Sequence, residues 1–297
     1  MSSTIDQIIP SKSCLERIAA GFGWAEGPIW IQEEKCLLFS DICNDTIYRW
    51  RPYFGLSVYR KPSGYANGNA IDCDGRLVTC EHKTRRITRT ENNKQISTVV
   101  NRFENLRFNS PNDLVFRSDG SMYFTDPAYG LEEPMGGPGQ RELPFQGVYR
   151  YTPKTRSVTL ETNSLSSPNG LAFSPDESIL YINDSDRNQI FTFFVQSTGE
   201  LTEKCLFAQL DTQQGPGWTD GMKTDLEGNV FSTGPGGVWV FDSQGNILGI
   251  IEMQETATNL VWGGDSWRDL YITTATESFT TSCLYRIQQL NPGQGTG

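Results

Sequence analysis

Residues 166–186 read "SSPNGLAFSPDESILYINDSD", and residues 110–127 read "SPNDLVFRSDGSMYFTDP". The two stretches share one plan: Pro-Asn, a short apolar run, an acidic turn, a second apolar run and a closing Asp. A phrase written twice points to an internal repeat, and a repeat constrains the fold more than any local motif. Four more copies surround these two. "EGPIW" (26–30) precedes "LLFSD" (37–41), and "NAID" (69–72) precedes "LVTCE" (77–81). "DGMKTD" (220–225) precedes "VFSTG" (230–234), and "NLVW" (259–262) precedes "LYITT" (270–274). From the first residue of each pair to the end of its second run the spacing is 15, 12, 14, 15, 14 and 15 in chain order. Turns such as "DCDGR", "RSDGS" and "DLEGN" join the runs and are hairpin signals. A third run often follows: "TIYRW", "RRITR", "GVYRY", "QIFTFF", "GVWVF", "CLYRI".

Repeat starts at 26, 69, 112, 169, 220 and 259 are separated by 43, 43, 57, 51 and 39 residues. A unit of roughly 40–50 residues with about four short strands is a propeller blade. The expected fold is all-β, a six-bladed β-propeller with four-stranded antiparallel blades around a central channel. It forms one domain over 1–297, with an N-terminal extension (1–14) and a flexible tail (289–297). The run "LERIAAG" (15–21) is placed to add a strand to the last blade, which removes open sheet edges. The two longer repeats carry their extra length in "PAYGLEEPMGGPGQRELPF" (127–145) and "DTQQGPGWT" (211–219). Loops of that length are functional or disordered. The Gly-rich pieces lack the GK[ST] ending and the following helix of a phosphate loop.

Composition narrows the function. The chain has 297 residues, 37% hydrophobic, with 16 Phe, 11 Tyr and 7 Trp, which suits an ordinary globular protein. Its formal charge of -10 repels phosphate backbones, so nucleic acid is not an expected partner. Seven scattered Cys without a CxxC pair fit reduced thiols and a cytoplasmic setting. The first residues lack a signal-peptide pattern, and no apolar run approaches a membrane span. Oligomeric state is left open.

In a propeller the first strand of each blade lines the channel. The residues opening those strands are Glu26, Asn69, Asn112, Asn169, Asp220 and Asn259, and each bears a side-chain oxygen. An Asn before Gly or Asp commonly serves a turn, and a water-bridged polar network is a second bland account. Glu26, a poor turn former, argues against the first. The sharper account is a hard divalent cation, Ca²⁺ before Zn²⁺, Mg²⁺ or Mn²⁺, held by carboxylate and amide oxygens. His82 is the only histidine, so a His-based zinc site is unavailable. As a lone histidine it reads as structural before it reads as a base. Asp184 ends the second strand of its blade, as Asp41, Glu81 and Asp126 do in theirs. These acids suit backbone caps, with Asp184 also a candidate for a supporting role at the site. No GxSxG elbow offers a serine nucleophile.

At these residues the chain resembles the gluconolactonase/regucalcin (senescence marker protein) family, from "WAEGPIW" to "LYITTA". "SPNDLVFRSDGSMYFTDPAYG", "SPNGLAFSPD" and "TDGMKTDLEGNV" point to its bacterial branch. The resemblance implies a six-bladed propeller that hydrolyses lactones, typically sugar aldonolactones. It implies one divalent metal on Glu26, Asn169 and Asp220, with Asn112 contacting the substrate and Asp220 as the candidate proton acceptor. Asn69, Asn259, Asp184 and His82 are expected around that set. Animal members carry a substrate-contacting Arg where this chain has Ser110, so Arg141 and Glu142 in the long loop are candidate replacements. Two alternatives stay open at this point. One is a calcium-dependent phosphotriesterase, its mouth lined by Trp24, Trp218 and Phe145. The other is a non-catalytic binding platform with a structural ion.

Overall fold

A computed structural model describes residues 4–10, 13–289 and 292–295. The expected extension (1–14) and tail (289–297) therefore lie partly outside the described residues. Six four-stranded antiparallel sheets radiate from one axis. The first blade runs outward through Ala25–Ile31, Cys36–Asp41, Thr46–Arg51 and Gly55–Arg60. The innermost strands of the next four are Ala66–Ile71, Leu114–Phe116, Pro168–Phe173 and Met222–Thr224. The sixth blade starts at Thr256–Gly263 and ends with a strand from the other end of the chain: Glu16–Phe22 pairs antiparallel with Ser282–Gln288. The ring is thus closed as the sequence predicts. Among the described residues, no helix is long and apolar enough to cross a membrane, and no cysteine is in a disulfide.

Second strands such as Cys36–Asp41 are buried along their whole length, because a blade packs on both faces. Adjacent sheets diverge with distance from the axis, and aromatic rings fill the wedge between them. Trp30 of the first blade stacks on Tyr271 of the sixth, centroids 5.4 Å apart. Tyr123 meets Phe173 edge-on across the third and fourth blades, and Phe231 meets Trp262 across the fifth and sixth. Truncating one of these buried rings to Ala costs about 3–5 kcal/mol.

The hub explains the Asn-Gly phrase. None of Asn69, Asn112, Asn169 or Asn259 is among the residues with left-handed backbone, so these asparagines do not serve turns. The inner strands instead carry a register shift as they reach the axis, between Glu26 and Ile29, Ala66 and Asn69, Pro168 and Leu171, and Ala257 and Asn259. Bulges of this kind re-aim side chains. The glycine then permits close approach of the next blade. Gly170 N–H donates to Asp220 O at 2.8 Å, and a Cβ on Gly170 would sit 2.2 Å from that oxygen.

Candidate active site

One end of the channel opens into a cavity of about 540 Å³. Its floor is formed by Glu26, Asn67, Asn112, Asn169 and Asp220, from five consecutive blades. All five are buried. The sixth blade offers Thr258 at the matching height, and its hydroxyl donates to Ala25 O, so that blade adds no free oxygen. In the second blade the hub position belongs to Asn67, two residues before the expected Asn69. Asn69 is fully engaged below the floor. Its amide nitrogen donates to Gly27 O, Ser40 Oγ and Asn67 O, and its oxygen accepts from Thr79. The spacing of 12 in that repeat was the available signal: from Asn67 to Glu81 it becomes 14, in line with the others.

Glu26 and Asp220 are buried and form no ion pair among the described residues. Glu26 Oε2 accepts from Gly27 N–H at 2.7 Å and from Asn259 at 3.0 Å. Burial first, then the charge of Asp113, pushes the Glu26 carboxyl up to about 8. Burial, followed by Glu26 and Asp113, holds Asp220 well above the ordinary carboxylate range. Asn169 and Trp218 oppose that shift by hydrogen bonding to Asp220. Asp113 is a third hub acid that sequence reasoning missed. It sits behind the floor, its Oδ2 3.4 Å from the Asn259 amide, and does not line the cavity. Among the described residues no three His, Cys, Asp or Glu side chains form a metal-holding group. Any cation site here must mix carboxylate with amide oxygen.

The remaining expected residues separate cleanly. His82 lines the cavity but is buried, and both ring nitrogens are engaged, Nδ1 2.9 Å from Met135 O and Nε2 3.2 Å from Asn67 Nδ2. Burial lowers it to about 4, so it stays neutral. Asp184 is a cap and faces away from the cavity: it accepts from Ser166 N–H at 2.9 Å and Ser167 N–H at 3.0 Å. Asp41 and Asp126 cap the equivalent amides of their blades, while Glu81 instead pairs with Arg60 and Arg86. Arg141 and Glu142 do not reach the cavity. Glu142 accepts from the Arg107 backbone N–H at 2.7 Å and pairs with its guanidinium, on the outside of the ring. The loop turns its earlier half inward, so Tyr129, Glu132, Glu133, Pro134 and Met135 form one wall. Ser110 anchors that wall, donating to Pro127 O and accepting from Gly130 N–H.

The opposite wall is aromatic. Trp24 stacks on Trp218 with centroids 6.0 Å apart, and Phe279 lies 5.6 Å from Trp24. Phe145, expected here, packs instead into the core between the second and third blades. Among the described residues, no Lys or Arg lines the cavity.

The SMP-30/Gluconolactonase/LRE-like region family matches residues 24–276. The gluconolactonase of Zymomonas mobilis is 37% identical over 270 residues, covering 84% of this chain and 75% of that protein. The pentonolactonase XacC of Haloferax volcanii is 26% identical over 261 residues, covering 84% and 81%. Among solved structures, a gluconolactonase from Xanthomonas campestris superposes with a TM-score of 0.88 at 33% identity, covering 97% of this chain and 93% of that one.

Proposed function

The chain belongs to the SMP-30/gluconolactonase/LRE-like family, and from that premise we propose that it hydrolyses lactones, sugar aldonolactones first, at a single divalent cation held by Glu26, Asn169 and Asp220. The observation that carries the reading is the ring of five buried oxygen-bearing side chains on one cavity floor, two of them carboxyls pushed up by burial and by neighbouring acids. With no Lys or Arg among the described lining residues, and Lys223 acting on Glu26 only from outside the cavity, a hard cation is the complement these oxygens call for. The mixed carboxylate and amide set favours Ca²⁺.

A cation bound there supplies Lewis-acid polarisation of the lactone carbonyl. The chain's own residues do the rest. Asn112, buried and with no side-chain hydrogen bond among the described residues, presents its amide to the ring of the lactone. The aromatic wall of Trp24 and Trp218 takes the apolar face of the sugar and keeps bulk water from that side. Asp220 accepts the proton of the water that adds to the carbonyl carbon. The ring C–O bond breaks, the ring oxygen takes a proton, and a hydroxy acid leaves. The acidic wall of Glu132, Glu133 and Glu277 repels that anionic product.

The test is acid release from glucono-1,5-lactone in a pH-stat, before and after EDTA and with Ca²⁺ restored. Chelator-sensitive, calcium-restored release is the expected result. Turnover of phosphotriesters alone points to the alternative hydrolase, and turnover of neither leaves a binding platform.

A further inference from the structure

The channel floor contains an oxygen that no described residue satisfies. Asn67 is buried at 3% exposure, and its Oδ1 is shielded from water and meets no hydrogen-bond donor among the described residues. Such a group costs free energy unless a partner arrives. The orientation of the amide is fixed from behind. A peptide carbonyl only accepts, so Met135 O requires the proton of His82 on Nδ1. Nε2 is then an acceptor, and it takes the Asn67 Nδ2–H at 3.2 Å. That leaves Oδ1 on the other side of the amide, away from the imidazole. The loop packs tightly against this histidine: a Cβ on Gly130 would fall 2.4 Å from His82 Cγ, and one on Gly136 would fall 3.0 Å from His82 Cβ.

We propose that Asn67 is a further oxygen ligand of the channel cation and that His82 is its positioning residue, the relay Met135 O, His82, Asn67 fixing which amide atom faces the ion. The proposal rests on the cation reading above. An ion is favoured over a substrate hydroxyl because the oxygen is closed to water, and a bare cation on the floor reaches an atom recessed in the wall. Asn67 also shares its hub position with Glu26, Asn112, Asn169 and Asp220, so the floor presents oxygen from five blades in sequence.

Calorimetric titration of the chelator-treated full chain with calcium chloride tests this without reference to turnover. Asn67→Ala is expected to raise the calcium Kd at least tenfold, and Asn67→Asp, which keeps an oxygen, to bind at least as tightly as wild type. His82→Phe, which fills the same space without a ring nitrogen, is expected to raise Kd about 10–100-fold although it touches no ion. Melting temperatures in EDTA show whether each variant is folded before calcium is added. Wild-type Kd in both Asn67→Ala and His82→Phe overturns the inference and leaves the cation reading standing. Absence of calcium binding by the wild type overturns both. If Asn67→Ala does not fold, His82→Phe decides alone.

Discussion

Two sets of aspartates and glutamates are buried in this molecule, and they are treated in opposite ways. Asp41, Asp126 and Asp184 end the second strands and each accepts two backbone N–H groups from the segment entering its own blade. Glu26 and Asp220 stand at the hub with as many donors, but both of Glu26's fall on one oxygen, and Asp113 and the pair's own charges crowd the site. A carboxylate satisfied by the backbone stabilises the fold. A buried carboxylate crowded by other acids destabilises the fold and keeps its affinity for something absent from the chain. Equal burial therefore hides a difference in role, and the charges around each carboxylate expose it.

The sharpest way to break this comparison is Asp220→Ala. Lactonase activity is expected to fall by about 10³-fold and calcium binding to be lost, while stability in EDTA is unchanged or raised, because an uncompensated charge is gone. Full activity in a pH-stat assay removes both roles given to Asp220. Asp184→Ala is expected to do the reverse. Two buried N–H groups lose their acceptor, at about 1–3 kcal/mol each, and urea denaturation should register the loss. Turnover per folded molecule should hold.

The pH dependence of stability separates the hub from the caps more finely. Glu26 is raised in the folded protein from 4.5 to about 8, so the folded state prefers its proton more than the unfolded chain does. The contribution of Glu26 to the stability of the metal-free protein is therefore fullest below about 4.5 and is lost as pH rises through about 8. Asp126, raised to about 7 by burial despite its two donors, adds a decline that is complete by then. Above about 7 the remaining decline belongs to the hub pair Glu26 and Asp220, and Glu26→Gln or saturating calcium should reduce it in urea titrations at fixed pH. An undiminished slope in Glu26→Gln assigns it elsewhere. Smaller effects are expected at the walls. Trp24→Ala should raise KM several-fold with kcat nearly kept, since the ring contributes packing to the sugar face and no group to the chemistry. The smallest belongs to Glu142→Ala, whose partner Arg107 lies on the exterior: kcat/KM should match wild type in steady-state assays.

Strand order, blade count and ring closure were legible because the second strands are apolar runs buried on both faces and four of the six end in an acid, a pattern that survives in "LLFSD", "MYFTD" and "LYIND". Register at the hub was not. "NGNA" in the second repeat places two asparagines two residues apart, which period-two reasoning puts on one face, and only the bulge between Ala66 and Asn69 separates them. Asp113 was passed over because its neighbour Asn112 filled the expected position. The path of residues 127–145 depends on Ser110 and His82, which hold the first half of the loop inward. Nothing local to Arg141 or Glu142 announces that the second half runs outside.

The sixth blade joins a segment made before the other five blades to one made after them. Its rim strand, Glu16–Phe22, leaves the ribosome ahead of those blades, and its partner, Ser282–Gln288, follows them. Until then the opening segment has no edge to join, and the fifth and first blades have no wall between them. The channel is therefore a post-translational product: its floor is assembled only when the whole ring snaps shut, so a chain stopped short of the last strand should lose the hub along with the rim.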